Sequence, residues 1–164
     1  MIGYIEHASP LGRLLMAATE QGICGIYFEE HRHFKGKDGW QPAASGSFAH
    51  AHLLKAAQQL DAYFAGQRKR FDVPLDLSGT PFQREVWDAL RAIPFGSSLT
   101  YARHAHGLGK PTALRAVGAA IGRNPVSIIV PCHRVIGASG EITGYAGGLE
   151  RKRYLLALEH IAVK

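Results

Sequence analysis

Cys132 stands between Pro131 and His133 in the run Val130-Pro131-Cys132-His133-Arg134-Val135, at the end of an apolar stretch, and is one of only two cysteines in the chain. A proline fixes the backbone on one side and a potential base follows on the other, so a nucleophile is expected here. An ordinary thiol, with a pKa of ~8.5, is only a few per cent thiolate at neutral pH. A reactive one needs a histidine, a cation or a helix N-terminus beside it. His133 and Arg134 follow immediately. Neighbouring side chains point different ways in a strand or helix, so His133 reaches the sulfur only across a bend or through a water. The other fate of a free cysteine is that of a small buried hydrophobe, and the tripeptide by itself does not choose between them.

Other residues with chemical capacity lead nowhere comparable. Three His-x-His pairs, 31/33, 50/52 and 104/106, suggest a metal. Residues two apart share a face only on a strand, whereas the last two pairs fall in expected helices and the first in an expected loop. Cys24 added to His31 and His33 is still short of a tetrahedral set, and a buried strand cysteine is its expected role. No metal site is expected. No G-x-G-x-x-G or Walker sequence occurs, so no cofactor is expected either. Whatever Cys132 attacks must bring its own leaving group.

The elements that must position Cys132 fall into two halves. Ile2 to His7, Arg13 to Thr19 and Ile23 to Glu29 are short apolar-rich stretches separated by turn residues, and they predict an antiparallel three-stranded meander. Residues 30 to 47 have no sustained period and read as loop. Leu53, Leu54, Ala57, Leu60 and Phe64 recur at helical spacing, so Phe48 to Phe64 is an amphipathic helix stopped by Gly66. Residues 67 to 80 read as a linker with an extended piece around Phe71 to Leu75. Thr80-Pro81 then caps a helix with Phe82, Val86, Leu90 and Ile93 on one face, ended by Pro94. Two short helices, Thr100 to Gly107 and Thr112 to Arg123, flank Leu108-Gly109-Lys110-Pro111, a turn of helix-turn-helix length. Leu149 to Ile161 forms a last helix after a glycine-rich segment. The expected fold class is α/β of the α+β kind, with domains at 1–78 and 79–164.

At 164 residues and 46% hydrophobic content the chain buries a real core. Two distant cysteines and an N-terminus without a basic-then-apolar leader point to a reducing cytoplasm, and no apolar run approaches the ~20 residues of a membrane span. Residues 1–78 carry 8 Lys/Arg and 8 Asp/Glu, and residues 79–164 carry 11 and 5, so the whole excess of +6 lies in the half that holds Cys132. A basic half with a helix-turn-helix suggests a nucleic-acid partner; a merely soluble basic surface is the alternative. Arg115 sits near the start of the second helix, where recognition helices place their contacts. The rest of that helix is small (Gly118, Ala119, Ala120, Gly122), which suits binding by shape more than by base sequence, or else ordinary close helix packing.

Taken together, these residues resemble the O6-alkylguanine-DNA alkyltransferases, the methylated-DNA–protein-cysteine methyltransferase family. The Pro-Cys-His-Arg-Val core matches at 131 to 135. In family order around it stand Arg115-Ala116-Val117-Gly118, Asn124-Pro125, Ile136-Gly137, Gly144-Tyr145-Ala146-Gly147-Gly148 and Leu155-Leu156 followed by Glu159. The match is dense from Phe82 to Glu159 and looser through the N-terminal meander. The resemblance implies an RNase H-like first domain and a winged-helix-like second one.

It also implies a suicide repair protein, monomeric when free, that flips O6-alkylguanine from double-stranded DNA and moves the alkyl group to Cys132, with O4-alkylthymine a second candidate substrate. Cys132 would be the nucleophile, His133 the base acting through a water, Glu159 the partner orienting the imidazole, and Asn124 the brace of the cysteine turn. Tyr101 would press on a phosphate and protonate the departing base, while Arg115 would fill the vacated stack. Lys110 and Arg123 complete the DNA-binding set, and Val135, Tyr145 and Ala146 would meet the flipped guanine. His104 and His106 depart from the family, where an apolar and a mixed residue usually stand. Zinc-binding relatives use two N-terminal cysteines, and only Cys24 is present. Two rivals remain: a non-catalytic lesion sensor or regulator, whose relatives lack the cysteine, and a cysteine hydrolase, which would normally draw its histidine from far away in sequence.

Overall fold

A tight turn at Ser9 to Gly12 starts the first half. The Ser9 hydroxyl donates to the Gly12 carbonyl at 2.6 Å and accepts the Leu11 amide at 3.1 Å. Gly12 takes φ 99°, a conformation open to glycine. The turn reverses β1 (Gly3–Ser9) into β2 (Gly12–Ala18), and β3 (Ile23–Tyr27) follows antiparallel on β2. The computed structural model describes residues 1–164, which divide into two compact units, Met1–Ser78 and Gly79–Lys164.

The meander is as expected, but the sheet does not stop there. Gln41–Pro42 forms β4, paired parallel to β1 at its free edge, inside the stretch read as loop. Two residues leave no alternation to detect, and their pairing is set by the Gln41 amide donating to the Ile2 carbonyl at 3.0 Å. Helix α1 (Phe48–Phe64) begins where the Ser47 hydroxyl accepts the His50 amide, and lays Leu53, Ala56, Ala57, Leu60 and Tyr63 on the sheet. Leu14, Met16, Ile23, Ile26, Leu53 and Leu60 are wholly buried, each contributing on the order of 1.5–3 kcal/mol. The extended piece at 71–75 is tied down twice. Buried Gln59 accepts the Asp72 amide at 2.8 Å, and Ile23 exchanges backbone bonds with Pro74 and Asp76.

In the second unit, α2 (Pro81–Leu90) opens on a complete capping box between Thr80 and Gln83. Helix α3 (Tyr101–Gly107) is capped by Thr100, and α4 (Leu114–Gly122) starts two residues later than its sequence suggests, without a side-chain cap. The Trp87 indole donates to the Ala120 carbonyl at 2.8 Å, and His104 Nε2 lies 3.3 Å from the Val86 carbonyl, so α2 braces both helices of the pair. Helix α5 (Leu149–Leu158) ends three residues before the expected Ile161. His160 turns to φ 60° and the Ile161 amide returns to the Leu156 carbonyl, which seats Ile161 against Ile136 and Leu156. A further pair, β5 (Leu99–Thr100) and β6 (Val135–Ile136), runs parallel, with Leu99 opposite Val135 and Thr100 opposite Ile136. No helix is long and apolar enough to cross a membrane.

Candidate active site

The cysteine is delivered by a cramped loop. After α4, Ile128 adopts φ 72° while the Ile129 amide donates to the Ser127 carbonyl at 2.8 Å. This is the strained form of γ-turn, and for a β-branched residue it costs on the order of 1–3 kcal/mol. A second two-residue return, from the Cys132 amide to the Val130 carbonyl at 2.8 Å, precedes a 3-10 turn over Cys132–Arg134. Asn124 braces the whole arc. Its Nδ2 donates to the Val130 carbonyl at 2.8 Å and to Cys132 Sγ at 3.2 Å, and its Oδ1 accepts the Val126 amide at 3.0 Å. The turn leads directly into β6, whose partner β5 leads directly into α3, so Tyr101 and Cys132 are held in register by the same two-residue pair.

His133 is wholly buried, and its Nε2 lies 2.7 Å from Glu159 Oε2. A carboxylate only accepts, so the ring proton belongs on Nε2 and the neutral ring presents Nδ1 as a base. Nδ1 has no protein partner. Burial pushes the Cys132 thiol up from its ordinary value, while the Asn124 amide and the Lys152 charge pull it back. Burial also holds the His133 imidazole below its ordinary value, opposed by Glu159. The Tyr101 phenol is half-buried and pushed up by desolvation, with its hydroxyl on the Thr143 side chain.

The sequence-predicted residues fall into three groups. Cys132, His133, Glu159 and Asn124 are joined by direct hydrogen bonds or adjacency, with Tyr101 close enough to Cys132 for its ionisation to feel the thiolate. Val135 is buried and follows the turn; Tyr145 and Ala146 are half-buried in the glycine-rich loop. Arg115 and Arg123 are exposed at the two ends of α4, and Lys110 lies in the preceding turn with its amine 6.0 Å from the Phe82 ring. These three cations belong to the surface of the helix pair.

Two participants were not singled out as site residues in the sequence. Lys152 is wholly buried and donates to the carbonyls of Val135 at 2.6 Å, Thr143 at 2.9 Å and Gly144 at 3.2 Å, tying the glycine-rich loop to the cysteine turn. Burial holds its ammonium down to about 8. Arg134 grips Glu159 with two nitrogens, Nε to Oε1 at 2.7 Å and Nη2 to Oε2 at 3.1 Å. The signal for Lys152 was available. Lys152, Leu155, Leu156 and Glu159 recur at helical spacing, and a lysine and a glutamate on an apolar stripe are costly without partners.

The unit that holds the buried, braced thiol and the histidine–glutamate pair also carries the exposed cations of the helix pair. In comparison with known proteins, residues 2–77 match the ribonuclease-like domain and residues 81–161 the DNA binding domain of 6-O-methylguanine DNA methyltransferase. The methylated-DNA–protein-cysteine methyltransferase of Methanosarcina acetivorans is 47% identical over 95% of this chain and 97% of its own. The solved structure of Mycobacterium tuberculosis O6-methylguanine methyltransferase is 47% identical, with TM-score 0.85 over 97% of this chain and 93% of that one. A second Mycobacterium tuberculosis structure, solved in complex with DNA, has 47% identity and TM-score 0.84 over 96% and 91%. The chain belongs to the methylated-DNA–protein-cysteine methyltransferase family.

Proposed function

We propose that this chain rotates O6-alkylguanine out of duplex DNA and takes the alkyl group onto Cys132 Sγ, once per molecule. The observation that carries this reading is the buried His133–Glu159 pair at 2.7 Å, one residue after a buried thiol whose sulfur already receives the Asn124 amide. Sulfur bonds the alkyl carbon as the bond from that carbon to O6 breaks, and the electron pair stays on the guanine. The thiol proton passes through a water to His133 Nδ1. Tyr101 donates to the departing base and is reprotonated through solvent, so the net transfer of the proton is from sulfur to guanine. A hydrogen-bond donor at the leaving group matters because charge develops there. The thioether has no good leaving group, so the sulfur is not regenerated.

Extrusion costs a few kcal/mol, least for a badly paired base. In this reading Arg115 fills the vacated stack, Lys110 and Arg123 hold phosphates, and Val135 and the Tyr145–Ala146 loop meet the guanine. O4-alkylthymine is a second candidate substrate, and the protein works as a cytoplasmic monomer without a cofactor. Duplex carrying one labelled O6-methylguanine tests it. Label should reach the protein and saturate at one methyl per chain, vanish in Cys132→Ser, and persist in Cys24→Ser, whose thiol burial has pushed up to about 11. Label retained by Cys132→Ser would refute the assignment.

A further inference from the structure

One carboxylate serves two masters in this site. Glu159 receives the His133 ring at 2.7 Å and the fork of Arg134 at 2.7 and 3.1 Å, and its Oε1 also accepts the Gly96 amide at 3.4 Å. All three side chains are buried. Arg134 is further fixed by Nη1 donating to the Ile93 carbonyl at 2.6 Å, and its guanidinium lies 6.0 Å from the Phe95 ring. The guanidinium is therefore not free to swing away when His133 changes charge.

From this we infer that Arg134 sets the proton affinity of His133 through the carboxylate they share, and thereby sets the acid limit of alkyl transfer. The role is one of positioning and charge, and it rests on the reading of His133 as the base. A buried glutamate hydrogen-bonded to an imidazole alone would favour the imidazolium, because the pair would then carry no net charge. A protonated ring cannot accept from the thiol. With Arg134 on the same carboxylate, charge balance is already complete while His133 is neutral, and protonating the ring adds an uncompensated buried cation. The groups facing His133 are few: Lys152 of α5 and Glu159 at the C-terminal cap of that helix, Arg134 and Cys132 from its own turn, and Tyr101 of α3 acting on Cys132. Lys152 pushes in the same direction as Arg134, and Glu159 opposes both. Arg134 alone among the cations touches the carboxylate that His133 uses.

The test reads His133 directly and the reaction separately. The His133 imidazole signal, identified by its loss in His133→Gln, is followed by NMR against pH in the unreacted full-length chain. Single-turnover transfer from O6-methylguanine duplex is followed over the same range. Arg134→Met should raise the His133 titration and the acid limb of the rate together, by about one pH unit or more, a tenfold change in proton affinity. Arg134→Lys keeps the charge without the fork and should shift both by less than half as much. Where Arg134→Met does not accumulate as folded protein, Arg134→Gln, which keeps a donor but no charge, is read in its place. A His133 titration unmoved by loss of the charge overturns the role of Arg134. A titration that moves while the acid limb stays fixed overturns instead the reading of His133 as the base.

Discussion

Asn124 and Cys132, eight residues apart, are joined by a single amide hydrogen that reaches sulfur at 3.2 Å while its nitrogen also serves the Val130 carbonyl. The same side chain therefore holds the shape of the loop and favours negative charge on the sulfur. Asn124→Ala leaves the Val126 amide buried without this partner, while the Val130 carbonyl keeps the Cys132 amide. At ~1–3 kcal/mol for a buried unpaired group, the loss should be about 1–3 kcal/mol in urea denaturation. Iodoacetamide modification of Cys132 should slow as well, because the thiolate loses its donor. A variant that is destabilised but alkylates at the unchanged rate would confine Asn124 to the loop.

In the proposed function Tyr101 and Arg115 divide the work between leaving group and duplex. Free O6-benzylguanine is already unstacked, so Arg115→Ala should slow duplex repair by at least about tenfold, the factor for 1.4 kcal/mol of lost compensation, and barely touch the free base. Tyr101→Phe should slow both, since protonation of the departing guanine is common to them. Single-turnover rates on the two substrates decide it. Equal losses in Arg115→Ala would remove its part in flipping.

Lys152 carries a pH signature of known sign. Burial holds its ammonium down to about 8 in the fold against an ordinary 10.5, so between these values the unfolded chain binds the extra proton. Stability must then rise with pH through this window, by on the order of 3 kcal/mol from this group. Cys24, raised from 9.0 to about 11, and Tyr27, raised from 10.0 to about 12, work the other way above pH 9. The clean measurement is the difference in unfolding free energy between the wild type and Lys152→Met, recorded from pH 7 to 10.5. It should change in favour of the wild type as pH rises. A flat difference would mean that the amine keeps its proton.

His104, on α3, is buried against the Val86 carbonyl of α2, where desolvation holds its imidazole below the ordinary value. The unfolded chain therefore takes the proton first, and stability should fall as pH drops below about 6.5. His104→Leu should lessen that acid loss and leave neutral-pH stability within about 1.5 kcal/mol, as for a volume-conserving core exchange. Thermal melts at pH 5 and pH 7.5 would detect it. Unchanged acid sensitivity would assign the effect to His133 instead. His106 is exposed and should be neutral to exchange.

The elements legible in the sequence were those with a chemical boundary marker or a long period: the spacing of Leu53, Leu60 and Phe64 with the stop at Gly66 for α1, and Thr80-Pro81 before α2. The two-residue strands β4, β5 and β6 had neither, because their pairing is decided by partners 38 and 36 residues away, as in Gly3 with Gln41 and Leu99 with Val135. Cys132 and His133 were readable as neighbours because adjacency in sequence survives folding. The burial of Arg134 and the three hydrogen bonds of Lys152 were not, since both depend on carbonyls supplied by distant segments, Ile93 for one and Val135, Thr143 and Gly144 for the other.

The phase of α5 makes the chain intolerant of one particular kind of evolutionary change. Lys152 and Glu159 are seven residues apart, two helical turns or ~10.5 Å along the axis, and both point inward with Leu155 and Leu156 between them. The helix is thus a ruler whose marks are the glycine-rich loop at one end and the His133 imidazole at the other. Substitutions at Glu150, Arg153 or Ala157, on the outer face, leave the ruler intact. A single inserted or deleted residue within it turns one mark by ~100° relative to the other, so this segment can drift in composition but not in length.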